Sequence, residues 1–283
     1  AAQAAQNSQL IIESVPERPD IKRAVYAEIE TTAADDAIIT SSTSGIMPSE
    51  LQAEMTHPER LMVAHPFNPV YLLPLVELVA GKQTDSKYIE WGKTFFAGIG
   101  MHPLHCRVES EGFLSDRLQE ALWREILHLV NDGVATTREL DEAVHYGPGL
   151  RWAGMGTNLT FHLAGGEEGM RHMLGQFGRA RKLPWTKLEA PDLTEDLIEV
   201  MAAGCEEQAE GRTMAELERL RDDYLVNVMR SLRPLGLGAG RLVAEREARI
   251  HEAGVPAQWS AGDPVAAPLT LYKTTVEPDW VDY

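Results

Sequence analysis

The strongest constraint on the fold of this chain is the order in which apolar and amphipathic segments follow one another. Between residue 9 and about residue 107, short apolar runs alternate with helical stretches, which is the order of an α/β protein. From Leu114 onward strand signals stop. We therefore predict the second half of a doubly wound, Rossmann-type sheet followed by an all-α domain. The predicted strands are Leu10–Glu13, Ala37–Thr40, Leu61–His65, Leu75–Val79 and one near Met101–Val108; predicted helices follow Pro19, lie near 48–55 and span Asp85–Gly98.

Composition narrows the class of protein. At 283 residues and 44% hydrophobic content, the chain can bury one or two cores. Its formal net charge of −17 argues against nucleic acid or an anionic membrane as a partner. Cys106 and Cys205 have no disulfide or zinc spacing, and the histidines lack HExxH spacing, so no metal site is predicted. Without a membrane-length apolar stretch or a visible signal peptide, we expect a cytoplasmic protein.

Two polar residues interrupt the apolar strands between residues 61 and 79. His65 follows four apolar residues and precedes Pro66, so it is expected at the end of a strand, where open α/β sheets carry their ligand chemistry. Glu77 lies within an otherwise apolar run and therefore needs a partner. An imidazole oriented by a carboxylate suits proton transfer. Either residue alone is more typical of a structural role, but together they favour a catalytic base and its orienting group.

A cluster of hydroxyl residues, Thr40–Ser44, follows the apolar run at residues 37–39 and ends at Gly45. Such a cluster before a helix can be a turn and a helix N-cap. It can equally hold a small polar ligand through its hydroxyl groups. From the sequence alone these two interpretations have equal weight.

These segments, in this order and spacing, resemble the 3-hydroxyacyl-CoA dehydrogenase family, which has a Thr-Ser loop, a His-x-Phe-Asn-Pro-Val segment and a Val-Glu element. The resemblance implies NAD as cofactor and a homodimer formed through the helical domain. It makes His65 the general base and Glu77 its orienting group. Ser44 and Asn68 would contact both substrate and cofactor, and the cofactor cleft would be lined by two further residues, Glu17 and Lys22.

The glycine-rich phosphate loop of dinucleotide-binding folds is not visible in this sequence. A Gly-x-Gly-x-x-Gly motif should follow a first strand and open a helix. The nearest run, Gly236–Gly240, follows a predicted helix and lacks the spacing, so we expect a loop there. The chain is therefore expected to lack the glycine-rich half of its cofactor domain. NAD is implied by the resemblance, and preference for NAD over NADP is not predicted.

One residue departs from the family pattern at the start of the helical domain. The family usually has Gly-Phe-Ile-x-Asn-Arg-Leu, whereas this chain has Asp116 in place of the asparagine. A negative charge there suits a cationic substrate better than an acyl-CoA. Segments 120–136, 149–157 and 182–188 resemble the carnitine dehydrogenase branch, which implies L-carnitine as substrate. A gulonate-type, lambda-crystallin-like dehydrogenase and a non-catalytic structural protein remain as alternatives.

Candidate contacts for carnitine follow from its chemistry. A trimethylammonium group is recognised by aromatic faces, and the candidates are Phe67, Trp152 and Phe161. A carboxylate suits a planar guanidinium, and the candidate is Arg151. Each aromatic residue can instead belong to the core, and Arg151 can instead pair with an acidic neighbour.

Three segments are expected along the chain. Residues 1–108 form the remaining part of the NAD-binding domain, and residues 109–253 form the helical substrate and dimerisation domain. Residues 254–283 are rich in Pro, Ala and Gly before an alternating apolar run. Their final stretch resembles the opening of a hot-dog-fold thioesterase, and a docked tail is the alternative.

Overall fold

The computed structural model describes residues 1–153, 156–164, 172, 174, 186, 194–198, 203, 209–236 and 238–252. The predicted linker and tail at 254–283 lie outside the described residues. One five-stranded sheet has its strands in sequence order. The strands are β1 (Leu10–Glu13), β2 (Ile38–Ser41), β3 (Leu61–Pro66), β4 (Leu75–Ala80) and β5 (His102–Cys106).

Helices cover the sheet and then continue as a separate helical region, which confirms the α/β order followed by an all-α region. Short 3-10 turns lie at Gln52–Glu54, Pro58–Arg60 and Arg233–Leu235. The α-helices whose bounds lie within the described residues are α1 (Ala2–Ala5), α2 (Pro19–Glu30), α3 (Pro48–Leu51), α4 (Ser86–Gly98), α5 (Ser115–Asn131), α6 (Thr137–His145), α7 (Pro148–Trp152), α8 (Thr157–Ala164), α9 (Met214–Leu232) and α10 (Gly238–Glu252).

The sheet is mixed, with one antiparallel pair among its parallel strands. β1, β2 and β3 are parallel, as are β4 and β5, but β4 runs antiparallel to β3. A parallel connection needs a crossover of about a dozen residues or more, usually with a helix. Only residues 67–74 join β3 to β4, and they contain no helix. The chain therefore turns back beside β3.

Each face of the sheet is covered by its own apolar cluster. Along β3, Leu61 and Val63 pack with Tyr26 on one face. Met62 and Ala64 pack with residues of α4 on the other face. Successive side chains of a strand point to opposite faces, so a strand covered on both faces is a continuous apolar run. This is why residues 61–64 carry no polar side chain before His65.

The helical region presents apolar side chains to the surface of the single chain. α5 lies in the part of the chain predicted to be all-α, yet its Leu118 is 75% exposed and its Trp123 is 43% exposed. Tyr224 on α9 is 61% exposed. Exposed apolar residues at helical spacing on two helices are typical of a surface that another element or another chain covers.

The glycine run at residues 236–240 was expected to be a loop, and for its second half this was wrong. Gly236 has a φ of 61° and ends the turn after α9, but α10 already begins at Gly238. A Cβ atom at Gly240 would lie 2.3 Å from the Leu232 carbonyl carbon. Glycine is therefore needed where the two helices approach closely, and it does not prevent the helix.

Within the described residues, no helix has the length and apolar character needed to cross a membrane.

Candidate active site

His65 and Glu77 lie side by side at one end of the sheet. β3 and β4 are antiparallel, and their register pairs the two residues directly. Directly opposite residues of an antiparallel pair project to the same face, with Cβ atoms about 4.5–5.5 Å apart. The imidazole Nδ1 lies 2.9 Å from the Glu77 Oε2 oxygen, and both side chains are buried. The buried carboxylate thus has the imidazole partner that its apolar setting required.

The other oxygen of Glu77 holds the start of the helical region. Oε1 accepts hydrogen bonds from the backbone N–H groups of Leu114 at 3.0 Å and Ser115 at 2.9 Å. The Cys106 thiol lies 3.9 Å from the same oxygen. The first N–H groups of a helix lack partners within it and favour an anion. One carboxylate therefore joins the imidazole to the first turn of α5.

Glu77 is held in its ionised form. Burial by itself would raise the pKa of this carboxyl group, but hydrogen bonds from His65, Ser115 N–H and Leu114 N–H outweigh burial and lower it. An ionised carboxylate can only accept hydrogen bonds, so a neutral His65 carries its hydrogen on Nδ1. Nε2 then keeps a free lone pair. Burial, together with Glu77, raises the pKa of the Cys106 thiol to about 11, so this group remains a donor.

A tight turn before α5 packs an aromatic ring against the imidazole. Gly112 and Phe113 have φ angles of 67° and 48°. Glycine adopts this left-handed backbone freely, whereas Phe113 is strained there. The buried Phe113 ring lies 5.7 Å from His65, and the Phe67 ring lies 5.9 Å from it, measured between centroids. The two rings restrict the imidazole and limit its contact with water.

Asp116 approaches the imidazole from the side that Glu77 leaves open. Its Oδ2 oxygen lies 3.7 Å from Nε2, and its side chain is 32% exposed. Burial is the largest influence and raises the pKa of Asp116; Glu77 and Glu120 raise it further, while His65 opposes them. His65 therefore has a carboxylate near each of its two ring nitrogens.

A cleft of about 1230 Å³ opens beside Asp116, at the ends of β1 and β2 and the start of α5. Typical small-molecule sites have roughly 300–1,000 Å³, so the cleft is large enough for a small-molecule ligand. Its position at the carboxyl ends of parallel strands is where open α/β sheets bind ligands. Four of the residues predicted from the sequence line it: Glu17, Lys22, Ser44 and Asp116.

Glu17 organises the hydroxyl loop at the edge of this cleft. One of its oxygens accepts hydrogen bonds from the Thr43 hydroxyl and from the backbone N–H groups of Ser44 at 3.1 Å and Gly45 at 3.3 Å. Burial would raise the pKa of Glu17, but Thr43, Lys22 and Gly45 N–H lower it overall. The backbone at Ser44 is thereby held, and its exposed side chain lines the cleft. The loop is both a structured turn and a lining of the cleft.

A buried polar network lies beneath the cleft. The carboxylate of Glu13 accepts hydrogen bonds from Lys22 at 2.9 Å, Tyr26 at 2.5 Å and Ser41 at 2.7 Å, and all four side chains are buried. Lys22 also lies 3.3 Å from Glu17. The network therefore connects the end of β1, helix α2 and the end of β2 with the cleft edge.

Four of the predicted site residues have no described contact with His65. Asn68 follows Phe67 and is exposed. Arg151 and Trp152 lie on α7, and Phe161 lies on α8; all three are exposed. Among the residues that the structure describes, no hydrogen bond, ion pair or ring contact links any of the four to His65. Their roles remain predictions.

Sequence reasoning missed Glu13 and Phe113. Glu13 ends an apolar strand, so the argument that a buried carboxylate needs a partner, applied to Glu77, also applied here. That signal could have identified Glu13 as a residue that needs buried partners. For Phe113 no comparable signal exists, because its positive φ and its contact with His65 follow from the path of the chain between the two domains.

Two family models match the chain. The NAD binding domain of 3-hydroxyacyl-CoA dehydrogenase matches residues 1–109, and the C-terminal domain of 3-hydroxyacyl-CoA dehydrogenase matches residues 112–214. The junction between the two matches falls at the Gly112–Phe113 turn. Together the matches cover more than half of the chain and include the His65–Glu77 pair.

Curated relatives are similar over most of the chain. An L-carnitine dehydrogenase of Pseudomonas putida is 57% identical over 227 residues, which cover 80% of this chain and 71% of the relative. An L-carnitine dehydrogenase/betainyl-CoA thioesterase of Rhizobium meliloti is 49% identical over 278 residues, which cover 96% of this chain and 56% of the relative.

A solved structure with a similar fold is a 5-formyl-3-hydroxy-2-methylpyridine 4-carboxylic acid 5-dehydrogenase, described as an NAD+-dependent dismutase. It is 28% identical, has a TM-score of 0.67, and the match covers 82% of this chain and 75% of that one. The similarity confirms the Rossmann-type fold with its helical second part.

Proposed function

The chain belongs to the 3-hydroxyacyl-CoA dehydrogenase family, and we propose that it is an NAD-dependent dehydrogenase that oxidises L-carnitine to 3-dehydrocarnitine. The assignment of L-carnitine as the substrate rests on the 57% identity to an L-carnitine dehydrogenase over 80% of the chain. The buried His65–Glu77 pair supports the reaction type, since alcohol oxidation needs a positioned base.

The cleft fits the nicotinamide end of the cofactor. Residues 1–109 match the family's NAD binding domain, so NAD is the cofactor. Carboxylate, hydroxyl and backbone N–H groups line the cleft, and ribose hydroxyls and a carboxamide need such donors and acceptors. We assign these contacts to Glu17, Lys22 and Ser44, which line the cleft, and to Asn68, which follows Phe67 near the base. When bound, NAD would supply the acceptor for the hydride that leaves C3 of the substrate.

His65 is the proposed general base. Its Nε2 lone pair takes the proton of the 3-hydroxyl group. Glu77 accepts the Nδ1 hydrogen, which fixes the tautomer and stabilises the imidazolium that forms. The hydroxyl groups of the 40–46 loop and the amide of Asn68 lie on segments adjacent to the cleft and the base, and we assign Ser44 and Asn68 to positioning the alcohol.

Replacing Glu77 with glutamine is expected to reduce kcat less than removal of the base would, and to move the acid limb of the pH–rate profile to lower pH. The imidazolium loses a negative neighbour, so it gives up its proton more readily. The measurement is kcat/KM for carnitine between pH 5 and 10.

A matched control is Glu109→Gln. Glu109 likewise accepts a backbone N–H, that of Ser49 at 3.0 Å, but has no described contact with His65. Its profile should keep the wild-type shape. If Glu77→Gln also kept that shape in a folded protein, Glu77 would be structural.

The proposed contacts of the substrate follow its two charged ends. Phe67, Trp152 and Phe161 are assigned to the trimethylammonium group, which has no hydrogen-bond donor and is attracted by aromatic faces. Of these, Phe67 has a described contact with His65. Arg151 is assigned to the carboxylate, which its planar guanidinium can bind through two parallel hydrogen bonds.

Trp152→Ala is expected to raise KM for carnitine about thirtyfold, since a desolvated cation–π contact is worth about 2 kcal/mol. Affinity for NAD should be unchanged, and Trp152→Phe should recover most of the loss because it retains an aromatic face. KM and the NAD dissociation constant are measured for all three proteins. An unchanged KM in Trp152→Ala would remove this residue from the site.

The proposed function is tested by measuring NADH formation from carnitine, gulonate and 3-hydroxybutyryl-CoA with the full-length protein. Carnitine should give the highest kcat/KM. Preference for gulonate would support the lambda-crystallin-like alternative, preference for the thioester would support an acyl-CoA dehydrogenase, and inactivity with all three would support a structural protein.

We also propose that the protein is a cytoplasmic homodimer. The exposed apolar residues of α5 and α9, including Leu118, Trp123 and Tyr224, support a second copy of the chain as their cover. The absence of a disulfide pattern in the sequence supports a reducing compartment. The division at residues 108 and 253, and the assignment of residues 254–283 to the start of a thioesterase domain, stay predictions.

A further inference from the structure

Asp116 is the acidic group placed to act on a ligand at the free nitrogen of His65. Glu77 occupies Nδ1 at 2.9 Å, so a substrate hydroxyl must approach Nε2. Asp116 Oδ2 is 3.7 Å from Nε2, beyond hydrogen-bond distance but within the range of strong charge interaction. Its side chain also lines the cleft. A group bound at Nε2 therefore lies beside this carboxylate.

Asp116 has no lysine or arginine as an ion-pair partner within the described part of the chain. Arg124 lines the same cleft but is paired with Glu120 at 3.2 Å. Arg117, which follows Asp116 in the chain, also lines the cleft, and no described ion pair joins the two side chains. The carboxylate of Asp116 is therefore available to a cationic ligand.

We propose that Asp116 is the counter-ion of the substrate's quaternary ammonium group and thereby determines selectivity for cationic over neutral 3-hydroxy acids. This rests on the proposed function. In carnitine a single methylene group separates the carbinol carbon from the quaternary nitrogen. A hydroxyl bound at Nε2 therefore brings the positive charge next to Asp116. Because a quaternary ammonium cannot donate a hydrogen bond, the attraction is purely electrostatic and a neutral amide could not replace it.

A second role for Asp116 would leave a different signature. If Asp116 acted only by stabilising the protonated His65, its loss would slow all alcohol substrates equally. If it acts as the counter-ion, its loss harms the cationic substrate alone. The ratio of two kcat/KM values, for carnitine and for an analogue with a tert-butyl group in place of trimethylammonium, separates the two roles because the analogue has the same shape and no charge.

The test compares wild type with Asp116→Asn in the full-length protein with NAD. The ratio of kcat/KM for carnitine to that for the tert-butyl analogue should fall by roughly tenfold to a hundredfold, the worth of a partly solvated charge pair at contact distance. Glu54→Gln removes the same charge from an exposed residue paired with Arg23, and should leave the ratio at its wild-type value.

A binding measurement supplements turnover. Choline should inhibit wild type more strongly than its neutral isostere 3,3-dimethylbutan-1-ol, and Asp116→Asn should remove that difference. An unchanged ratio, or equal losses with both substrates, would overturn the counter-ion role. Failure of the proposed function looks different: wild type itself would give no NADH from carnitine while oxidising another 3-hydroxy acid.

Discussion

Replacing His65 with asparagine is expected to lower kcat by about two to four orders of magnitude, the usual contribution of a positioned general base. Asparagine keeps a side-chain donor that can reach Glu77, so the buried carboxylate should retain a partner. It offers no group able to take a proton from the substrate. The loss should therefore appear in kcat, while the dissociation constant for NAD stays close to that of wild type.

His57→Asn is the matched control for this change. His57 lies before the opposite end of β3, where its ring is 3.5 Å from Glu59 and is partly exposed. This variant should have wild-type kinetics. Near-normal turnover in a folded His65→Asn protein would remove His65 from the reaction and leave the pair with a structural role.

Replacing Lys22 with methionine is expected to lower the free energy of unfolding by about 3–5 kcal/mol, because it leaves a buried carboxylate without its cation. Lys22 and Glu13 are almost completely buried and lie 2.9 Å apart. Loss of the ammonium group leaves Glu13 with hydrogen bonds from Tyr26 and Ser41 but with an uncompensated charge. The measurement is chemical denaturation of the full-length protein.

A double-mutant cycle checks the origin of this effect. Glu13→Gln removes the charge left by Lys22→Met, so the double variant should be more stable than the sum of the two single changes implies. Arg18→Met is the control, because Arg18 pairs with Asp20 on the surface of the same helix start and should matter little. The account would be contradicted if Lys22→Met destabilised the protein no more than Arg18→Met does.

The fold could be predicted in outline because a strand that is packed on both faces has an uninterrupted run of apolar residues. Residues 61–64 are apolar throughout since both faces of β3 are packed, and this marked the strand. The composition of β4 does not indicate its direction. The length of the link at residues 67–74 does, because the link is too short for a parallel crossover, and this length was readable from the predicted strands.

The site was predictable where a buried polar residue needed a hydrogen-bonding partner. Glu77 in an apolar run required a partner, and the structure supplies His65. The position of Asp116 beside Nε2 could not be read from the sequence, because it depends on the Gly112–Phe113 turn and on the N–H groups that bind Glu77. The network around Glu13 joins residues from three elements, so its members become evident only when the elements are packed.

The central claim is that His65 and its neighbours hold the carbinol of L-carnitine for transfer of the C3 hydride. The most direct measurement is to mix the full-length protein with NAD and L-carnitine deuterated at C3, and to follow reduction of the cofactor in a single turnover. We expect reduced cofactor that carries the deuterium by mass spectrometry, formed more slowly than with unlabelled carnitine. Reduced cofactor without deuterium, or no reduction with carnitine while another 3-hydroxy acid is oxidised, would contradict the account.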